Sequence, residues 1–332
     1  MALESRTTDH VDRQILHALQ IAPRAPFARI ATVLGVSEQT VARRYQRMRG
    51  AGIVRVLARM EPTHRPNGSY WSLRIGCRPG TADALADALA RRGDTSWISI
   101  AAGGAEVTCG AEVEGDGSGL LHHLPRASNV LTFTAHQMLH HFPGRGEIDW
   151  ILPDNDVTAE QRQFLAEGSA PRAGDARVEA ADRPLIDELS RDGRASWATL
   201  AAATGWSQRQ VANRVGELVG SRAVYFHLDV ADVLVGMHSA ANLWFTVAPA
   251  HLASVGARLA DHAELGFVAA VTGSANLTAA ARTPDARALY RYITTKVAAI
   301  EGIHNVEIVP TLTRVKQSHS LMVDGLMREP PR

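Results

Sequence analysis

Apolar positions along this chain keep two rhythms, first the spacing of helices and then the alternation of strands, and the chain runs through both twice. Val11, Ile15, Leu16 and Leu19 follow helical spacing, and Phe27, Ile30, Ala31 and Leu34 predict a second helix stopped at Gly35. Ser37 caps a third, on which Val41, Tyr45 and Met48 fall at i, i+4 and i+7 and form one inward stripe. The segment Ile53–Arg59 then reads as a strand or ribbon leaving the bundle. Three short helices with a glycine-containing turn between the last two make a helix-turn-helix pattern. The second pass places its helices near Arg183–Ser190, Ser196–Thr204 and Ser207–Val219, where Ser207 and Gln210 have capping-box spacing.

Behind each bundle the rhythm changes. Trp71, Leu73, Ile75 and Cys77 alternate; Thr81–Arg91 is helical; Trp97–Ala101 and Val107–Val113 are strands; a short helix at Leu120–Leu124 and a strand at Val130–Ala135 finish the unit. The second pass reads Leu243–Val247, Ala250–Ala260, Leu265–Thr272, Asn276–Ala281, Ala286–Ile300 and Val306–Leu312. The order βαββαβ is the ferredoxin-like plan, an antiparallel sheet with both helices on one face. The expected class is therefore α+β. The expected domains are a helix-turn-helix at 1–62, a βαββαβ effector and oligomerisation domain at 63–152, a polar linker at 153–178 with one brief helix at Ala159–Ala166, a second helix-turn-helix at 179–235, and a second βαββαβ domain with a tail at 236–332.

The two passes are copies. Asp12-Arg13, Arg24-Ala25, Gly35, Ser37, Val41-Ala42 and Arg44 meet Asp182-Arg183, Arg194-Ala195, Gly205, Ser207, Val211-Ala212 and Arg214 at one spacing, 182 − 12 = 170 residues. Further on, Trp97 meets Phe267 and Gly103 meets Gly273. A single long spacing marks a duplicated globular unit rather than a solenoid, whose period runs from about 20 to 50 residues. Such a chain can pair its own halves as a pseudo-dimer.

Composition narrows the class. With 332 residues, 45% apolar and 21% charged, the chain is an ordinary globular protein of several small domains. No window approaches the roughly 20 apolar residues of a membrane span, and the start lacks an apolar signal core, so no membrane partner is expected. Two cysteines, Cys77 and Cys109, fit a reducing cytoplasm and behave as small buried hydrophobes. The net charge of +1 conceals an imbalance: residues 1–62 carry ten Arg against five acids, whereas 171–232 carry eight Arg against nine. Only the first copy is prepared electrostatically for a polyanion.

At this point the chain resembles the leucine-responsive regulatory protein/AsnC family of prokaryotic transcription regulators. The likeness is carried by Ser37, Thr40-Val41, Arg44, Arg47, Met48 and Gly52-Ile53-Val54, and by the loop Val271-Thr272-Gly273-Ser274-Ala275-Asn276-Leu277. Because both halves take part, the chain is similar to tandem, covalently fused members. Copy two departs from the pattern with Arg222 in place of Gly and with Gly216-Glu217 inside its third helix; the acidic residue usual at the end of the loop is Glu106 in copy one and Asn276 in copy two. The resemblance implies a regulator that binds double-stranded DNA, self-associates through its βαββαβ domains and responds to a small effector such as an amino acid.

On that reading Ser37, Gln39, Thr40, Arg43, Arg44 and Arg47 face DNA from copy one, with Arg209, Asn213 and Arg214 in copy two. Arg reaches guanine edges or clamps phosphate, and Gln reads adenine. Arg44 also suits pairing with a structural carboxylate, and for the second copy a structural role and DNA contact both stay open. The effector residues are Gly103, Gly104 and Glu106, with Gly273, Ser274 and Asn276; a plain hairpin turn is the alternative. His122, His123, His136, His140 and His141 cluster without a carboxylate or Cys at metal spacing, so neither a metal nor another cofactor is expected. No catalytic residue is assigned, and nucleotide-loop and nucleophile-elbow motifs are absent. Two rivals share the fold: a siroheme decarboxylase-like haem-biosynthesis enzyme, and a metabolite-binding module without DNA contact.

Overall fold

The computed structural model describes residues 8–61, 68–114, 119–144, 157–167, 175–232 and 236–328. From the N-terminus run α1 (His10–Ile21), α2 (Phe27–Leu34), α3 (Glu38–Gly50), β1 (Val54–Met60), β2 (Gly68–Cys77), α4 (Ala82–Ala90), β3 (Thr95–Ala101), β4 (Glu106–Glu114), α5 (Leu120–His123) and β5 (Val130–His141). After α6 (Ala159–Glu167) the order recurs. It gives α7 (Arg183–Arg191), α8 (Trp197–Thr204), α9 (Gln208–Gly220), β6 (Val224–Val230), β7 (Ser239–Val247), α10 (Leu252–Ala260), β8 (Leu265–Val271), β9 (Leu277–Thr283), α11 (Ala286–Tyr292) and β10 (Ile303–Gln317). Two further strands follow, β11 (Ser320–Val323) and β12 (Leu326–Arg328). The chain folds into two compact units, residues 1–66 with 151–235 and residues 67–150 with 236–332.

The first unit holds both helix-turn-helix bundles. Local chemistry sets their boundaries. Asp9 and Asp12 form a capping box at α1, with the Asp12 N–H donating to Asp9 Oδ1 at 2.9 Å. Helix α2 ends at Gly35 and α8 at Gly205, at φ +64° and +74°, a left-handed stop that favours glycine. Ser37 and Ser207 accept the N–H of Thr40 and of Gln210 at 3.1 and 3.3 Å, starting α3 and α9. Ile15, Leu16, Leu19, Ile30, Val41, Tyr45 and Met48 are buried in the first bundle, each contributing about 1.5–3 kcal/mol. The second buries Leu185, Leu189, Leu200, Val211, Val215 and Leu218 together with Ala58, which arrives from the first copy's strand β1.

That strand ties the copies together. β1 and β6 pair antiparallel from Val54↔Val230 to Met60↔Val224, centred on Leu57↔His227, which are themselves equivalent positions of the repeat. The contacts around the ribbon are reciprocal: Glu61 N–H donates to the Ala223 carbonyl at 3.0 Å, and Ala231 N–H to the Ile53 carbonyl at 2.9 Å. A local twofold therefore relates the bundles. Within the segment read as a linker, α6 buries Leu165 and docks on the first bundle, where Gln161 Nε2 donates to the Val33 carbonyl at 2.9 Å and Arg29 Nη1 to the Phe164 carbonyl at 3.0 Å.

The second unit contains both βαββαβ halves. In each, one sheet face packs on its helices: Leu73, Ile75, Leu85, Leu89, Ile98 and Val107 in the first, and Leu243, Phe245, Leu259, Val268, Leu277 and Ile300 in the second. The strand expected at Val130–Ala135 runs on to His141, and the one expected at Val306–Leu312 spans Ile303–Gln317. The reason is that their extensions find partners in the opposite copy. β5 pairs with β2 through Gln137 and then with β8 from Met138↔Val271; β10 pairs with β7 through Pro310 and then with β3 from Thr311↔Ala101. Following these pairings closes β7-β9-β8-β5-β2-β4-β3-β10 on itself. The helix expected over Ala286–Ile300 is α11 followed by a π-helical turn at Ile293–Val297, and the tail adds β11 and β12 beyond β10.

Candidate functional site

In α3 the inward stripe leaves Gln39, Arg43 and Arg47 exposed and Thr40 half-buried, its hydroxyl 2.8 Å from Ser37 Oγ. Arg44 turns inward. Its Nη1 donates to Asp9 Oδ2 at 2.6 Å and to Asp12 Oδ1 at 2.9 Å, and these carboxylates hold its guanidinium above the ordinary arginine range. Asp9 is lowered: burial lifts its carboxyl, and the hydrogen bonds from Arg44 and from the Asp12 N–H outweigh that lift. Arg47 also reaches the buried Asp12, yet its side chain stays 58% exposed, so the same residue can turn outward. Ser37 is the helix cap. The residues expected to face DNA thus separate into an outward set, Gln39, Arg43 and Arg47, and a scaffold set, Ser37 and Arg44.

Helix α9 repeats the scaffold and changes the outward set. Arg214 donates Nε to Asp182 Oδ1 and Nη2 to Asp182 Oδ2, both at 2.8 Å, and reaches Glu217 at 3.1 Å. Asp182 lies below the usual carboxylate range; its burial acts upward, and Arg214 more than reverses it. Arg209 and Asn213 are exposed. Glu217 occupies the position equivalent to Arg47, which replaces a cation by an anion on the outward face.

Sequence reasoning did not assign a role to Arg24 and Arg194. Arg24 donates to the carbonyls of Gly193 and, at 3.1 Å, Ala195; Arg194 donates to those of Pro23 at 2.6 Å and Ala25 at 2.9 Å. Each guanidinium also lies 4.4 Å from an aromatic ring of the other copy, Arg24 over Trp197 and Arg194 over Phe27. Burial, and then the charge of Arg194, lower Arg24 to about 10. Arg49 adds a 2.8 Å ion pair to Asp192. The repeat itself held the signal, since Arg24-Ala25 and Arg194-Ala195 are among its matched pairs.

In the second unit the two effector loops have unlike structures. The first turns through left-handed Ala102, Gly103 and Gly104, at φ +50°, +67° and +92°. It leads to Glu106, which accepts from Arg74 Nε at 3.0 Å and Nη2 at 2.9 Å; Arg74 also donates to Glu307 through two bonds of 2.7 Å. The second has left-handed Gly273, and its Ser274 carbonyl accepts from Thr246 Oγ1 at 3.3 Å. Asn276 spends its amide on Val247, accepting from its N–H at 2.9 Å and donating to its carbonyl at 2.8 Å. Arg74 and Trp244 are equivalent positions of the repeat, and the guanidinium lies 5.2 Å from the indole centroid. His136 packs 4.8 Å from the same ring, with Nδ1 2.6 Å from the Thr272 carbonyl. Arg74, Glu307 and Trp244 carried no periodic signal beyond alternation.

The remaining histidines sit apart. A register shift falls between Met138 and His140; His140 meets Phe142 edge-on and His141 stacks on Phe267. Among the described residues no group of three or more His, Cys, Asp or Glu could hold a metal ion. Cys77 and Cys109 are free and buried, and burial pushes the Cys109 thiol up to about 12. No helix among the described residues is long and apolar enough to cross a membrane.

An AsnC-type helix-turn-helix domain matches residues 9–49 and 180–219, and an Lrp/AsnC ligand binding domain matches residues 241–321. An uncharacterised HTH-type transcriptional regulator of Pyrococcus horikoshii is 26% identical over 150 residues, covering 45% of this chain and 94% of its own. The siroheme decarboxylase NirDL superposes with a TM-score of 0.59 at 10% identity over 92% of both chains, a likeness of fold. AsnC of E. coli aligns with 42% of this chain and 95% of its own at 19% identity and a TM-score of 0.36. With two AsnC-type helix-turn-helix domains and an Lrp/AsnC ligand binding domain on one polypeptide, the chain is a tandem member of the leucine-responsive regulatory protein/AsnC family of transcription regulators.

Proposed function

We propose that this protein is a sequence-specific transcription regulator that acts on double-stranded DNA in the cytoplasm, self-associates and is tuned by a small metabolite such as an amino acid. The observation that carries this reading is the reciprocal pair of helix-turn-helix bundles, one of which leaves Gln39, Arg43 and Arg47 exposed on its third helix. Arg43 and Arg47 match guanine edges or phosphates, and Gln39 matches adenine. Ser37, Thr40 and Arg44 act through the helix they hold. In the second copy Arg209 and Asn213 are the contact residues and Arg214 is a positioning residue.

For the effector, the first loop offers backbone N–H groups at Gly103 and Gly104 beside the carboxylate of Glu106, the donors and acceptor an amino acid requires. An ammonium group docking there competes with Arg74 for Glu106. The second loop offers Gly273 and Ser274, with Asn276 already engaged on its own sheet edge. Genome-wide capture of bound DNA, followed by gel shifts of the recovered fragments at controlled salt with and without amino acids, tests the reading. The expected result is a retarded band that survives nonspecific competitor and weakens in Arg43→Ala with Arg47→Ala. Binding without any sequence preference contradicts it.

A further inference from the structure

We infer that the DNA site is directional: two unlike half-sites at one fixed spacing, bound in a single orientation, a conclusion that rests on the DNA-binding reading above. Two observations combine. The first is that the bundles are locked. Seven ribbon pairs, the exchanged bonds at Glu61 and Ala231, the Arg24 and Arg194 clamps and the Arg49–Asp192 ion pair all join one copy to the other. Rigid coupling of two reading helices fixes the separation of the half-sites they enter.

The second observation is that only the scaffold of the two helices has been kept. Ser37 and Ser207 cap them, Val41, Tyr45 and Met48 correspond to buried Val211, Val215 and Leu218, and Arg44 and Arg214 pair with buried Asp12 and Asp182. The exposed polar positions of α3 differ in α9, Glu38 corresponding to Gln208, Gln39 to Arg209, Arg43 to Asn213, Gln46 to Gly216 and Arg47 to Glu217, and half-buried Thr40 corresponds to Gln210. The chemistries are rearranged: amides alternate with arginines on α3 (Gln39, Arg43, Gln46, Arg47), whereas α9 presents one arginine, two amides and a carboxylate (Arg209, Gln210, Asn213, Glu217). Arginine selects guanine, Asn and Gln select adenine, and a carboxylate accepts from cytosine while repelling phosphate. In a homodimer the same side chain meets both half-sites, so the operator mirrors the protein's twofold. Here the backbone keeps the twofold and the reading face does not.

In vitro selection from a random duplex library with the full chain tests this. The wild type is expected to enrich one composite motif of unlike halves at constant spacing. A probe in which the second half is replaced by an inverted copy of the first should bind at least about tenfold more weakly, since each mismatched base pair costs about 1–3 kcal/mol. Transplanting the α3 face with Arg209→Gln, Gln210→Thr, Asn213→Arg, Gly216→Gln and Glu217→Arg should convert the enriched motif to a palindrome of the α3 half at the same spacing. The reciprocal transplant, Gln39→Arg, Thr40→Gln, Arg43→Asn, Gln46→Gly and Arg47→Glu, should give a palindrome of the other half, and circular dichroism establishes that each variant is folded. A palindromic wild-type motif, a single half-site, or spacing that varies among enriched sequences overturns the inference. Enrichment of no sequence by folded wild type rejects the DNA-binding reading itself, and this inference with it.

Discussion

The two units treat the same duplication in opposite ways. In the first unit the contacts between copies are reciprocal almost residue for residue, so Arg24 does for the second bundle what Arg194 does for the first. In the second unit equivalent positions have become complementary rather than alike. Arg74 lies against Trp244, its own counterpart, and Glu106 grips Arg74 where Asn276 grips Val247. An isologous interface forces each residue to suit its own copy across the axis, and fusion into one chain lifts that constraint. Where both copies perform the same mechanical task the old symmetry persists. Where side chains meet across the axis or face outward, it has been spent on specialisation.

The largest expected effect probes the complementary pair. Trp244→Ala removes a buried indole from between Arg74, His136 and the residues around Val271, and should cost the second unit about 3–5 kcal/mol in chemical denaturation. A cost below about 1 kcal/mol would show that the pair is incidental to holding the halves together. Next in size are the clamps. Arg24→Ala and Arg194→Ala each remove two cross-copy hydrogen bonds and two ring contacts, and each should lower stability by about 1.5–3 kcal/mol. The comparison requires the two losses to be similar; a large loss from one and none from the other would break the reciprocity.

A pH experiment sharpens the contrast further. The Asp182 carboxyl is lowered in the folded protein, so its contribution is present above the unfolded value of about 3.9 and is lost as pH falls through the lower folded value. Asp182→Asn should therefore flatten the acid limb of the stability profile below about pH 4 while also lowering the plateau above it. An acid limb unchanged by the substitution contradicts the assignment. The smallest effect concerns the loops. Calorimetric titration with amino acids should show one dominant site per chain that weakens in Glu106→Gln. Gly273→Val, whose Cβ would come 2.6 Å from His136 Nδ1 at a φ of +113°, should disturb the second loop and leave that site in place. Two equal sites indifferent to both changes would defeat this reading of the loops.

Local grammar made much of this legible beforehand. The caps at Ser37 and Ser207, the glycine stops at Gly35 and Gly205, and the stripe of Val41, Tyr45 and Met48 depend on neighbours within one turn, so spacing alone reveals them. The residues that join copies were harder to see. Strands β5 and β10 look short in sequence because alternation around their ends reflects partners more than a hundred residues away. The roles of Arg44 and Arg214 were half visible: their recurrence in both copies fits a shared scaffold better than a shared base contact, and the carboxylates they hold recur with them. The place of Asn276 in its loop suggests a residue facing a ligand, and its two bonds to Val247 are of a kind that sequence spacing does not encode.

One measurement bears most directly on the account, a salt-controlled gel shift comparing outward pairs that leave Arg44 on Asp12 and Arg214 on Asp182. Arg43→Ala with Arg47→Ala strips the α3 face, and Arg209→Ala with Asn213→Ala strips the α9 face; Arg214 is spared because it holds Asp182. The account predicts specific binding in the wild type, a loss of about 1–3 kcal/mol per removed base contact in the first pair, and a smaller loss in the second. Equal losses from both pairs, or no loss from the first, would contradict it.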